Sequence, residues 1–141
     1  MKNLRIIFTA ALLVIVFTVQ ALPSVKSKTI PENKRDAITA SLIQGLNSDN
    51  TGLITSSAYM LGEFKMEEAV IPLMKLLHSG KNEDIRIAAA LALYKIENPR
   101  GIFAVKQAIR FDDSERVKKL CANFYNDFMF NRKSVISIAR K

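Results

Sequence analysis

The chain is poor in the residues from which reactive sites are built. It has one histidine, His78, one cysteine, Cys121, and no tryptophan. With one His and one Cys, no zinc site of ordinary composition can be assembled within a single chain, so no metal is expected. A lone cysteine also excludes an internal disulfide framework, and the fold has to hold through its core. The five glycines, Gly45, Gly52, Gly62, Gly80 and Gly101, lie scattered at turns and helix ends and form no phosphate-cradling loop. No serine sits in a nucleophile-elbow context. The acidic pairs Glu67-Glu68 and Asp112-Asp113 fall at helix starts, where the helix dipole accounts for them. His78 falls at a helix end beside Gly80, the place of a solvated C-terminal cap. No stretch alternates apolar and polar residues at the β period. No catalytic, cofactor-binding or metal residue is assigned, and an enzyme is the weakest of the function classes.

Long apolar runs are also missing, except at the front. A short basic start (Met1 to Arg5) precedes a run from Ile6 to Val19 that is apolar apart from Thr9 and Thr18, and Val19-Gln20-Ala21 closes it with small or slim residues at the positions a signal peptidase reads. Basic start, apolar run and small-x-small exit describe a secretory signal, with the cut expected after Ala21. The competing reading is an uncleaved anchor. The run is 14 residues, or 17 if stretched to Leu22, against the roughly 20 that a spanning helix needs. No cysteine near the cut is available for lipid attachment. A secreted or periplasmic protein is therefore expected, held at a membrane only if the signal stays uncleaved. Residues 22–33, proline-bracketed and polar, read as a linker.

Charge is unevenly spread. Residues 22–94 carry eight basic and eight acidic side chains, whereas residues 95–141 carry eleven basic and five acidic. All the net positive charge of the mature chain therefore lies in its last third.

What the sequence does have is self-similarity. At an offset of 32, Ser57-Ala58-Tyr59-Met60-Leu61 falls on Ala89-Ala90-Leu91-Ala92-Leu93, and then on Cys121-Ala122-Asn123-Phe124-Tyr125. The same offset aligns Asn50, Asn82 and Ser114, whose short polar side chains suit a helix N-cap. A period of this size marks stacked helical repeats. Apolar spacing predicts helices over about 34–46, 51–64, 67–78, 83–96, 99–110, 114–130 and 133–140. Their buried stripes include Ile54, Ala58 and Leu61; Val70, Leu73, Met74 and Leu77; Ile85, Ala89, Leu93 and Ile96; and Ile102, Val105 and Ile109. Pro72 lies early enough in its helix to be tolerated, and Asn98-Pro99 is a strong start signal. Lys106 takes the place of Met74 and is expected to reach its ammonium past the core edge. Cys121 takes the place of Ala89 and Ser57, as a small core residue. Asp112 and Glu115 stand in capping-box spacing, with Ser114 as the alternative cap.

The expected fold is all-α: a short right-handed α-solenoid of antiparallel helix pairs spanning residues 34–141. It would hold full repeats over about 50–81 and 82–113 and a partial one over 114–141. The run Ile85-Arg86-Ile87-Ala88-Ala89-Ala90-Leu91-Ala92-Leu93, followed by Asn98-Pro99-Arg100-Gly101, resembles the HEAT repeat. Its short period is most similar to the variety shared with phycobilisome lyases. The resemblance implies an ARM-type superhelix and a binding scaffold for a protein partner, without cofactor, with self-association also plausible for so short an array.

Stacked pairs generally expose the second helix of each pair on an extended face. On that face the candidate partner-binding residues are Glu68, Lys75, Arg100, Lys106, Gln107 and Arg110. The rival reading assigns Lys118, Lys119, Arg132, Lys133, Arg140 and Lys141, with Arg110 and Arg116, to an anionic polymer or membrane surface. Export weighs against nucleic acid as that polymer.

Overall fold

The computed structural model describes residues 32–139, which form six α-helices; there is no strand among the described residues. They are α1 (Glu32–Leu46), α2 (Thr51–Glu63), α3 (Val70–Ser79), α4 (Glu83–Ile96), α5 (Pro99–Phe111) and α6 (Glu115–Ala139), with a 3-10 turn over Glu67–Ala69 leading into α3. The expected signal segment, its cut after Ala21 and the linker as far as residue 31 lie outside the described residues. Glu32 and Asn33 belong to the first turn of α1.

Four of the helices, α2, α4, α5 and α6, begin where the sequence supplies a side-chain cap, whereas α3 continues from the 3-10 turn without one. Asn50 Oδ1 accepts from the Leu53 N–H at 3.0 Å, Asn82 Oδ1 from the Ile85 N–H at 3.0 Å, and Ser114 Oγ from the Val117 N–H at 3.3 Å. The three residues thus stand at equivalent helix beginnings, 32 positions apart. Asn98 caps α5 in the same way, with Pro99 in its first turn, where the missing N–H removes no helical bond. Pro72 sits in the first turn of α3, for the same reason without harm.

The helices stack as a short α-solenoid. First helices pack on first helices (α2 on α4, α4 on α6) and second on second (α3 on α5), while each second helix also packs on the following first helix (α3 on α4, α5 on α6). α1 packs on α2 and more lightly on α3, the place of a second helix from a preceding pair. Leu61, Leu73, Leu93, Val105 and Val117 are fully buried between these layers, each contributing roughly 1.5–3 kcal/mol. Met74 and Ile109, expected in the buried stripes, are only half-buried. Met66 is fully buried and receives a hydrogen bond from the Thr39 hydroxyl at 3.3 Å, a contact across 27 residues that no local pattern announces. Small residues let the first helices approach closely. A Cβ on Gly62 would lie 2.8 Å from the Ala92 Cα.

The third unit departs from expectation. A break near residue 131 and a separate helix over 133–140 were expected; instead α6 runs unbroken for 25 residues. Two features of the sequence account for this. No Gly or Pro occurs after residue 115. By the 32-residue offset, moreover, positions 134, 137 and 141 correspond to Ile102, Val105 and Ile109, and they are Ser, Ser and Lys. Folding back on α5 would bury two hydroxyls and an ammonium where the pattern needs aliphatic carbon.

Candidate functional site

The outer side of α3 and α5 carries matched residues at the repeat offset: Glu68 with Arg100, Ile71 with Phe103, Lys75 with Gln107, and His78 with Arg110. Ile71 and Phe103 are each 58% exposed, and Phe111 at the end of α5 is 69% exposed. Two large apolar side chains left in solvent at the same repeat position form a ridge, and exposed apolar surface rimmed by charge is characteristic of interaction sites. The Arg110 guanidinium lies 5.4 Å from the Phe111 ring and extends that ridge with a cation–π contact.

Between α3 and α5 runs a groove of about 650 Å³, floored by Met74, Leu77, Ala104 and Ala108 and edged by Phe103, Gln107 and Phe111. Its end is closed by Arg86 and Asp112. Arg86 Nε donates to Asp112 Oδ2 at 2.8 Å and its NH2 group to Oδ1 at 2.9 Å, while its NH1 group donates to the Gly80 carbonyl at 3.1 Å. Asp112 Oδ1 also accepts from the Ser114 N–H at 2.8 Å. Burial alone would push the Asp112 carboxyl up, but Arg86 and the Ser114 N–H together hold it below the usual range. Asp112 is thus a buried brace between repeats, and the cap expected of it belongs to Ser114.

Of the six residues assigned from sequence, Glu68, Lys75, Arg100 and Arg110 are exposed and Gln107 is half-buried at the edge of the groove. Lys106 is not on the ridge. It turns toward α6, where its Nζ stands 5.6 Å from the Tyr125 ring centre, past the core edge as expected. The apolar members, Ile71, Phe103 and Phe111, were missed by a search for charge. The 32-residue offset that pairs Ile71 with Phe103 was the signal that could have found two of them.

The basic last third is less available than its composition suggests. Arg116 pairs with Asp84 at 2.9 Å and Glu83 at 3.6 Å, and Lys118 with Glu115 at 2.8 Å. Arg140, Lys141 and the side chain of Lys133 lie outside the described residues. Among the described helices none is long and apolar enough to cross a membrane.

The decisive comparison concerns the repeats themselves. HEAT repeats are matched over residues 39–123, well over half of the 141 residues. The chain belongs to the HEAT repeat family. No curated protein matches it. HEAT repeats commonly act as protein-interaction scaffolds and are typically not enzymes. In this HEAT array Cys121 occupies a repeat position that is buried in all three units, with Ser57 and Ala89. Burial pushes its thiol up to about 12, far from the reactive thiolate range.

Proposed function

We propose that this HEAT array is a non-enzymatic scaffold that binds a protein partner along α3 and α5, in the extracytoplasmic space. The observation that carries the reading is the pair Ile71 and Phe103, equally exposed at the same position of successive second helices. An anchor of this kind supplies most of the energy of an interface, with Lys75, Arg100, Gln107 and Arg110 setting orientation at its edge. The signal-like front end supports export and cleavage after Ala21. The anionic-polymer alternative loses ground because Arg116 and Lys118 are already paired with carboxylates.

The test is affinity capture by the full chain from its own envelope fraction, repeated with Ile71→Asp and with Phe103→Asp. Both positions are exposed, so the fold is expected to survive. Specifically retained proteins should fall by about tenfold or more with either variant, the size expected for a hot-spot anchor. Retention of polyanions only, equal in all three proteins, overturns the reading. For the location, N-terminal sequencing of the fractionated protein should begin at Leu22; an intact Met1 in the cytoplasmic fraction overturns it.

A further inference from the structure

Because α6 runs unbroken, no described residue takes the place of a second helix in the third pair, and a second groove of about 900 Å³ opens between the first half of α5 and the second half of α6. One repeat earlier the equivalent space is filled by α5 itself. Its first turn sits so close on α4 that a Cβ on Gly101 would come within 2.9 Å of Leu93 Cδ2. The counterpart of Leu93 one repeat later is Tyr125, which lines the open groove with Ile102 and Phe128. The groove is therefore shaped by the repeat itself to receive the opening turns of a helix.

We propose that a helix from a partner protein completes the third pair here, apolar on the side it buries and acidic on the flank beside Lys106 and Arg132. This rests on the scaffold reading and specifies its partner. Two observations select the occupant. The chain's own tail is unsuited, because Ser134, Ser137 and Lys141 fall at the positions that should be buried. The tail of a second copy has the same defect, and it would bring Lys133, Arg140 and Lys141 to a rim already cationic. At the groove, Lys106 and Arg132 have no carboxylate partner among the described residues, whereas Glu97, the acidic residue lining it, is paired with Lys65 at 2.9 Å. An incoming carboxylate therefore meets two unneutralised cations beside apolar surface, which fixes both sign and register.

Synthetic helical peptides of about 14 residues with leucines at i, i+3, i+4 and i+7, flanked either by Glu or by Lys, test this by fluorescence anisotropy on the full chain. The Glu-flanked peptide should bind at least about tenfold tighter than the Lys-flanked one. The double variant K106E/R132E should erase that preference by about tenfold, while K34E/K119E, the same charge change at exposed sites elsewhere, should not. Equal affinity for the two peptides, absence of binding, or equal weakening by both double variants overturns the proposal. Weakening by Ile71→Asp and not by K106E/R132E also overturns it, while leaving the scaffold standing with its partner on the ridge. A dimer in sedimentation that K106E/R132E dissociates assigns the groove to a second copy, which overturns it as well.

Discussion

Lys65 and Glu97 occupy the same position of successive repeats, both adopt a left-handed backbone (φ 48° and 63°), and they meet in an ion pair of 2.9 Å. Each ends the run of a first helix and turns the chain toward the second. A non-glycine residue in this conformation costs roughly 1–2 kcal/mol because its Cβ crowds the backbone. The pair is more than half exposed, so its attraction offsets little of that cost.

Substitution at Glu97 should therefore split by backbone tolerance more than by charge. Glu97→Val is expected to lower the unfolding free energy by about 1–2 kcal/mol, since a β-branched residue fits this region worst. Glu97→Gly should leave it unchanged or raise it by about 0.5 kcal/mol, the relieved crowding exceeding the added freedom of the unfolded chain. Urea titration of the two variants side by side checks the order; Val more stable than Gly would contradict it.

The Arg86–Asp112 brace should respond to both mutation and acid. Asp112→Asn leaves a guanidinium that is mostly out of solvent without its carboxylate and is expected to cost about 3 kcal/mol. The folded carboxyl titrates below its ordinary value. Its contribution is thus complete above the unfolded value of about 3.9 and disappears as pH falls through the lower folded value. Thermal melts from pH 7 down to pH 2 should show the native protein losing its advantage over Asp112→Asn below about pH 4.

Gly62 should reject even one added methyl group. Its Cβ would press on the Ala92 backbone at 2.8 Å, where no side-chain rotation gives relief. Gly62→Ala is expected to destabilise by about 1–3 kcal/mol, the usual range for overpacking, although alanine is the better helix former. A gain in melting temperature would show that α2 and α4 are not held this closely.

Cys121 should be silent to thiol reagents in the folded protein. With its thiol pushed up to about 12 and its side chain buried, a disulfide-exchange dye at pH 8 should label it only at the rate of unfolding. Labelling should become immediate in denaturant.

Much of this was legible in the sequence for an identifiable reason: caps and stripes are local. Asn50, Asn82, Asn98 and Ser114 each set a helix start through a bond two or three residues away, so position in the chain was sufficient. Met66 was not legible, because its burial depends on Thr39 arriving from α1. Asp112 was read as a cap because its spacing to Glu115 fits one, whereas its partner is Arg86, 26 residues back. The candidate surface was half visible. Charge marked Lys75, Arg100 and Arg110, but exposure of Ile71 and Phe103 depends on what fails to pack against them, and that is a property of the stack. The third pair departs from its expected form because the 32-residue offset places Ser134, Ser137 and Lys141 where the preceding repeat has Ile102, Val105 and Ile109.

The contacts between repeats join opposite signs at equivalent positions: Glu63 to Lys95, Lys65 to Glu97, Asp84 to Arg116 and Asp49 to Lys81. Neighbouring units are therefore complementary and not interchangeable. Duplicating a single unit during evolution would set lysine against lysine and glutamate against glutamate along the same edge, so an array of this design lengthens most easily two units at a time.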